Sequence, residues 1–180
     1  MTEALVVAIA AATLLGVYIV GVKQYFNDYP PTAFVALSYA IGAVWYFPLV
    51  AVRIPVDKFW RTLTDHGFVL VVLAIITALA LVAFYTSLVL GDVSYIAPLS
   101  KTVPVFVLPL EVLALRQSIT RLQLLGIVTV TIAIYVINYQ GGSVLAPVFR
   151  LFKSRAAGLA IISAILFAVV DVGKRVSMQE

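Results

Sequence analysis

The sequence predicts an all-α protein, a polytopic bundle of membrane-spanning helices. Three observations carry that prediction: the composition, the length of the apolar runs and the punctuation between them. Of 180 residues, 63% are hydrophobic and 11% are charged, and the mean hydropathy is +1.12. Soluble domains hold about 45–50% apolar and about 25% charged residues, and a chain this small has too much surface for its volume to hide the excess from water. Lipid is the solvent that accepts it.

A spanning helix needs about 20 mainly apolar residues. Six segments meet or approach that length: 4–22, 33–52, 68–90, 93–115, 122–137 and 156–172. The fifth is short and borrows its polar flanks. Asp28-Tyr29-Pro30-Pro31 separates the first two, because proline lacks the donor a helix needs. Gly91-Asp92 makes a tight hairpin between the third and fourth, and Gly141-Gly142-Ser143 ends the fifth. Glu3 and the lack of a basic leader predict that the first helix is retained and not cleaved as a signal peptide.

Aromatic rings gather where the spans should meet water: Tyr25, Phe26 and Tyr29, then Trp45, Tyr46 and Phe47, then Trp60 and Tyr139. The net charge of +4 comes from cations lying between apolar runs, which fits membrane topology and not a nucleic-acid face. Seven of them (Arg53, Lys58, Arg61, Arg116, Arg121, Lys174 and Arg175) fall on the side of the N-terminus. Four (Lys23, Arg150, Lys153 and Arg155) fall on the other. The excess places the N-terminus in the cytoplasm of a cell-membrane protein. Residues 145–155 mix Val148, Phe149, Leu151 and Phe152 with three cations; they form either an interfacial helix or a basic loop. Small residues recur at four-residue spacing as Ala8, Ala12 and Gly16 and as Ala160, Ala164 and Ala168, stripes that let helix backbones approach closely in lipid.

The sixth helix follows the first at an offset of five spans, an odd number, so the two cross in opposite senses. That is the arithmetic of an inverted-topology repeat, a common transporter plan. The run from Ala83 to Asn138 resembles the EamA domain of the drug/metabolite transporter superfamily. The residues that carry the resemblance are Tyr85-Thr86-Ser87-Leu88, Gly91-Asp92-Val93-Ser94, Pro98 to Phe106, and Gln123-Leu124-Leu125-Gly126-Ile127. The resemblance implies one five-helix repeat over 4–139, a basic connection over 140–155, and the first helix of a second, inverted repeat over 156–180. It also implies a carrier of small organic metabolites, completed by a second copy or by another chain. Gln117 stands where the family usually carries an acidic residue. The alternative is a non-transporting membrane subunit or a truncated remnant of a ten-helix carrier.

Chemistry is sought among ionisable groups within the spans, since each costs a few kcal/mol in hydrocarbon. Lys101 lies about nine residues past the hairpin, roughly 13 Å deep at 1.5 Å per residue. Pro98, Pro104 and Pro109 share its helix. Pro104 frees the carbonyl of Ser100, and Pro98 that of Ser94. The expectation is a kinked fourth helix around which access alternates, with a buried Lys101 suited to an anionic or zwitterionic substrate. The competing reading is that Lys101 snorkels to an interface. The hairpin brings Tyr85, Thr86 and Ser87 to its level, and Tyr18, Ser38 and Tyr39 come from other helices; equally, each hydroxyl can bond its own backbone. Glu111 is either a coupling carboxylate or a partner of Arg116 or Arg121. Asp171 is expected to pair with Lys174 or Arg175, three and four residues on.

Other chemistries are not expected. Without cysteine there is no disulfide, thiolate metal site or thiol nucleophile. His66, the one histidine, is read as a solvated loop imidazole. No Ser-His-Asp set, His-x-x-x-His pair or phosphate-binding glycine loop is present, so no catalytic residue, metal or cofactor is assigned.

Overall fold

The computed structural model describes residues 2–116, 119–138 and 154–177. These residues form helices joined by short turns: α1 (Thr2–Tyr25), α2 (Pro31–Arg53), α3 (Val56–Leu90), α4 (Val93–Ser100), α5 (Val103–Leu115), α6 (Arg121–Asn138) and α7 (Arg155–Ser177). No strand occurs among them. Five stretches are long and apolar enough to cross a membrane: α1, α2, α3, α4 with α5, and α7. The all-α polytopic bundle is therefore the observed architecture. The described apolar part of α6, Arg121–Ala133, is shorter than a span. Gln117, Tyr139 and most of 140–155, including the interfacial or loop segment, lie outside the described residues.

Local chemistry fixes most of the boundaries. Pro31 occupies the first turn of α2, where a missing N–H costs nothing. Thr120 and Gln123 open α6 with a reciprocal cap, the Gln123 carboxamide oxygen accepting from the Thr120 N–H at 2.8 Å and the Thr120 hydroxyl accepting from the Gln123 N–H at 3.3 Å. Two expected boundaries are corrected. α3 begins at Val56 and not at Phe68, and its 35 residues extend about 52 Å, well beyond a hydrocarbon core of about 30 Å. Lys58, Arg61 and a half-buried His66 therefore ride on a helix instead of a loop. Nothing in 56–66 breaks a helix once Pro55 has preceded it. The fourth span is broken and not merely kinked: α4 stops at Ser100, Lys101 and Thr102 form a turn, and α5 restarts with Pro104 in its first turn.

α7 is the packing centre. It lies against α3, α4 and α5, and Ala156, Ala160, Ala164 and Ala168 are buried along one stripe. Two close approaches give its direction. A β-carbon placed on Gly91 would lie 2.9 Å from Ala156 Cβ, and one placed on Gly173 would lie 2.6 Å from Leu73 Cδ2. α7 thus runs antiparallel to α3 and in the same direction as α4 and α5. The Ala160–Ala164–Ala168 stripe packs as expected. The Ala8–Ala12–Gly16 stripe does not: all three residues are exposed, and α1 contributes only Ile19 and Val22 to the buried core.

Candidate functional site

The break between α4 and α5 opens onto a cavity of about 600 Å³ in the middle of the bundle. Its wall is built from four directions: Tyr18 on α1, Phe84 and Tyr85 on α3, Ser100, Lys101 and Pro104 at the break, and Phe167 and Asp171 on α7. The register follows from the hairpin. α3 and α4 turn at Gly91-Asp92, so residues about ten before and ten after that turn face each other, and α7 brings Phe167 and Asp171 to the same level on one helical face.

Lys101 is exposed and not buried, a correction with a simple cause. The turn at Lys101-Thr102 lifts the residue out of the helix, and its side chain enters the cavity instead of the packed core. Its backbone N–H donates to the Pro98 carbonyl at 3.0 Å, a tighter bond than the helical one. The Ser100 hydroxyl donates to the Ala97 carbonyl at 2.8 Å, and that of Thr102 to the Leu99 carbonyl at 2.8 Å. These backward bonds occupy the Ala97 and Leu99 carbonyls at the turn itself, next to but not at the carbonyls that the prolines free. The Lys101 ammonium has no ion-pair partner among the described residues.

Tyr18 and Tyr85 join hydroxyls at 2.8 Å across α1 and α3. Tyr85 is buried, held edge-on to Phe34 with ring centroids 4.9 Å apart. Tyr39 on α2 lies within electrostatic reach of both but does not line the cavity. Pro98 does not line it either. Thr86 and Ser87 are not among the residues that line the wall, and their hydroxyls bond backward, to the Val82 carbonyl at 2.6 Å and the Phe84 carbonyl at 2.6 Å.

Glu111 is nearly buried, its side chain 5% exposed, and pairs with Arg175 on α7. Neither Arg116 nor Arg121 is its partner. Those two lie next to it in sequence, but α5 turns the Glu111 carboxylate toward α7 and away from its own C-terminus. Asp171 pairs with Lys174 at 4.0 Å, as its spacing predicts. That pair is half-exposed and worth little.

Two features lay beyond sequence reasoning. Asp171 and Phe167 belong to the cavity, and the available signal was a carboxylate and an aromatic ring four residues apart in an apolar helix. Lys23 was read only as a topology charge. Its ammonium donates to the carbonyls of Leu88 and Val89, the latter at 3.1 Å, and so caps the end of α3. No local pattern around Lys23 announces a partner more than sixty residues away.

Residues 2–139 match the model of the EamA-like transporter family. No curated protein and no solved structure matches the chain.

Proposed function

The chain belongs to the EamA-like transporter family, and from that premise we propose that it carries, alone or with a second copy or another chain, small organic metabolites through the cavity at the α4–α5 break. It is a multi-pass membrane protein. The observation that carries the reading is the set of groups sharing one open space: an ammonium at a helix break with no ion-pair partner among the described residues, a carboxylate on the facing helix, two linked tyrosine hydroxyls and apolar walls. Transporters of repeat architecture place substrate sites at interrupted helices near the midplane, where irregular backbone is tolerated because it lines a cavity.

In this reading Lys101 attracts the anionic end of the substrate, Tyr18 and Tyr85 supply hydroxyls, and Phe84 and Phe167 cover the carbon skeleton. The turn at Lys101-Thr102 is the hinge about which α5 moves relative to α4. The side carrying Arg53, Lys58, Arg61, Arg116, Arg121, Lys174 and Arg175 faces the cytoplasm.

The test is saturable uptake by proteoliposomes containing the full chain, screened against labelled organic anions and zwitterions. Lys101→Ala should reduce uptake of the active compound by at least about tenfold, the loss of one charge-assisted contact of roughly 1.5 kcal/mol or more, while the protein elutes as a single species. Unchanged uptake in that variant removes Lys101 from the site.

A further inference from the structure

We propose that the first third of α3, residues 56–66, is an interfacial arm. It lies in the headgroup layer of the bilayer, with its apolar side at the acyl boundary and its charges in water.

Length and charge place this segment outside the hydrocarbon. The apolar run 68–90 that follows it is long enough to cross a membrane by itself, about 34 Å at 1.5 Å per residue. Residues 56–66 hold Asp57, Lys58, Arg61 and Asp65. Each charge costs a few kcal/mol at the centre of a span, and four within three turns of helix belong outside it.

The same segment has an apolar side that the bundle does not use. Val56, Phe59, Trp60 and Leu63 recur at three- and four-residue spacing, so they share one side of the helix. Asp57, Lys58, Arg61, Thr62 and Asp65 share the other. Every residue from Val56 to Asp65 is exposed, Trp60 by 57% and Phe59 by 47%. The two rings meet edge-on with centroids 5.7 Å apart. Within a span, exposed apolar side chains face lipid tails. Here the charged side of the same turns rules that surrounding out.

Area and reach both select lipid as the cover. Four side chains, each about half-exposed, fall well short of the roughly 800 Å² per partner that a stable protein interface needs. The arm is only about 16 Å long and continues directly into the span, so the membrane surface is always within its reach. Tryptophan favours the headgroup level, and a helix with aromatic and leucine side chains on one side and charges on the other lies in the plane of the interface. Its two cations and two anions balance, so the apolar side holds it and neutral phospholipid suffices. Gly67 separates arm from span. A β-carbon placed there would meet nothing within 4 Å, so the helix can turn at this point without disturbing a neighbour.

Trp45 and Trp60 are the two tryptophans, and Trp45→Phe leaves Trp60 as the sole indole reporter. In the full chain, in nanodiscs of neutral phosphatidylcholine, lipid brominated near the top of its acyl chains should quench Trp60 at least about twofold, since an interfacial helix sits about 5–10 Å into that boundary. The quenching should survive high salt. Phe59→Asp puts a charge on the apolar side and should remove most of it, whereas Thr62→Asp on the polar side should leave it unaltered. Trp60 reached by aqueous iodide and not by brominated lipid overturns the proposal, because the arm then stands in water. Trp60 shielded from both also overturns it, because protein then covers the apolar side. Quenching that requires anionic lipid, or that is unaltered in Phe59→Asp, overturns it as well. If Trp45→Phe does not fold, a spin label at Leu63→Cys serves instead, the chain having no other cysteine. Greater access to oxygen than to a water-soluble nickel chelate supports the arm, and the reverse order overturns it.

Discussion

α1 and α7 begin as near equivalents in the sequence, each an apolar helix of similar length with small residues every fourth position, yet they occupy different worlds in the structure. In α7, 44% of the most apolar stretch is buried against other helices, and in α1 only 11%. Ala160, Ala164 and Ala168 are fully buried, whereas Ala8, Ala12 and Gly16 are all exposed. The difference teaches what a small-residue stripe encodes. It permits close approach without naming a partner, because lipid tails are as apolar as leucine and give no net drive toward association. α7 has extra determinants that choose its partners: Gly91 opposite Ala156 at one end and the Glu111–Arg175 pair at the other. α1 has only Lys23 and Tyr18, both reaching α3.

The sharpest way to break this comparison is to enlarge one residue in each stripe. Ala164→Leu forces extra carbon into a sealed interface and should cost about 1–3 kcal/mol. Ala12→Leu meets no protein neighbour and should stay within about 0.5 kcal/mol. Reversible unfolding of the purified chain in mixed micelles measures both, and equal costs would mean that the α1 stripe is also packed.

Next in size is Gly91→Ala. The glycine has φ −136, an ordinary extended value, so no backbone strain is involved. The reason for glycine is space alone, since a β-carbon would lie 2.9 Å from both Ala156 Cβ and Ile96 Cγ1. Separating α7 from the hairpin to admit it should cost roughly 1–2 kcal/mol and should shift Tm downward. Lys23→Met keeps the apolar stem and removes the ammonium from the end of α3, and about 1 kcal/mol should be lost. An unchanged Tm there would mean that Lys23 serves topology only.

These sites also mark how far the sequence could be read. Hydropathy and proline or glycine punctuation place the spans because length and apolarity are local properties. The EamA motifs place the hairpin and, through it, bring Lys101 to the level of Tyr85. The break at Lys101 is less legible, since Pro98, Pro104 and Pro109 announce a disturbed helix without saying whether it bends or stops. The early start of α3 is invisible to hydropathy because charged residues propagate a helix as well as apolar ones do. Least legible are the pairings between distant helices. Glu111 has two arginines nearby in sequence and pairs with neither, and Asp171 reaches the cavity only because α7 packs beside α5. Such choices depend on which faces meet, and no local spacing contains that information.

The smallest expected effect has the opposite sign and tests the α7 interface from within. Ser163 is fully buried, and its hydroxyl has no hydrogen-bond partner among the described residues. A buried polar group without a partner is a cost, and replacing it with an apolar group of similar shape removes that cost. Ser163→Ala also extends the small-residue face without adding volume. In lipid the gain is limited, because a serine in a membrane helix can find a partner in the unfolded reference state, and single polar contacts there average about 0.6 kcal/mol. A rise in stability of about 0.5 kcal/mol is therefore expected, read as a higher midpoint in the same micellar unfolding series. A fall of similar size would show that the Ser163 hydroxyl is satisfied in the membrane, and that α7 is held by a polar contact as well as by its alanines.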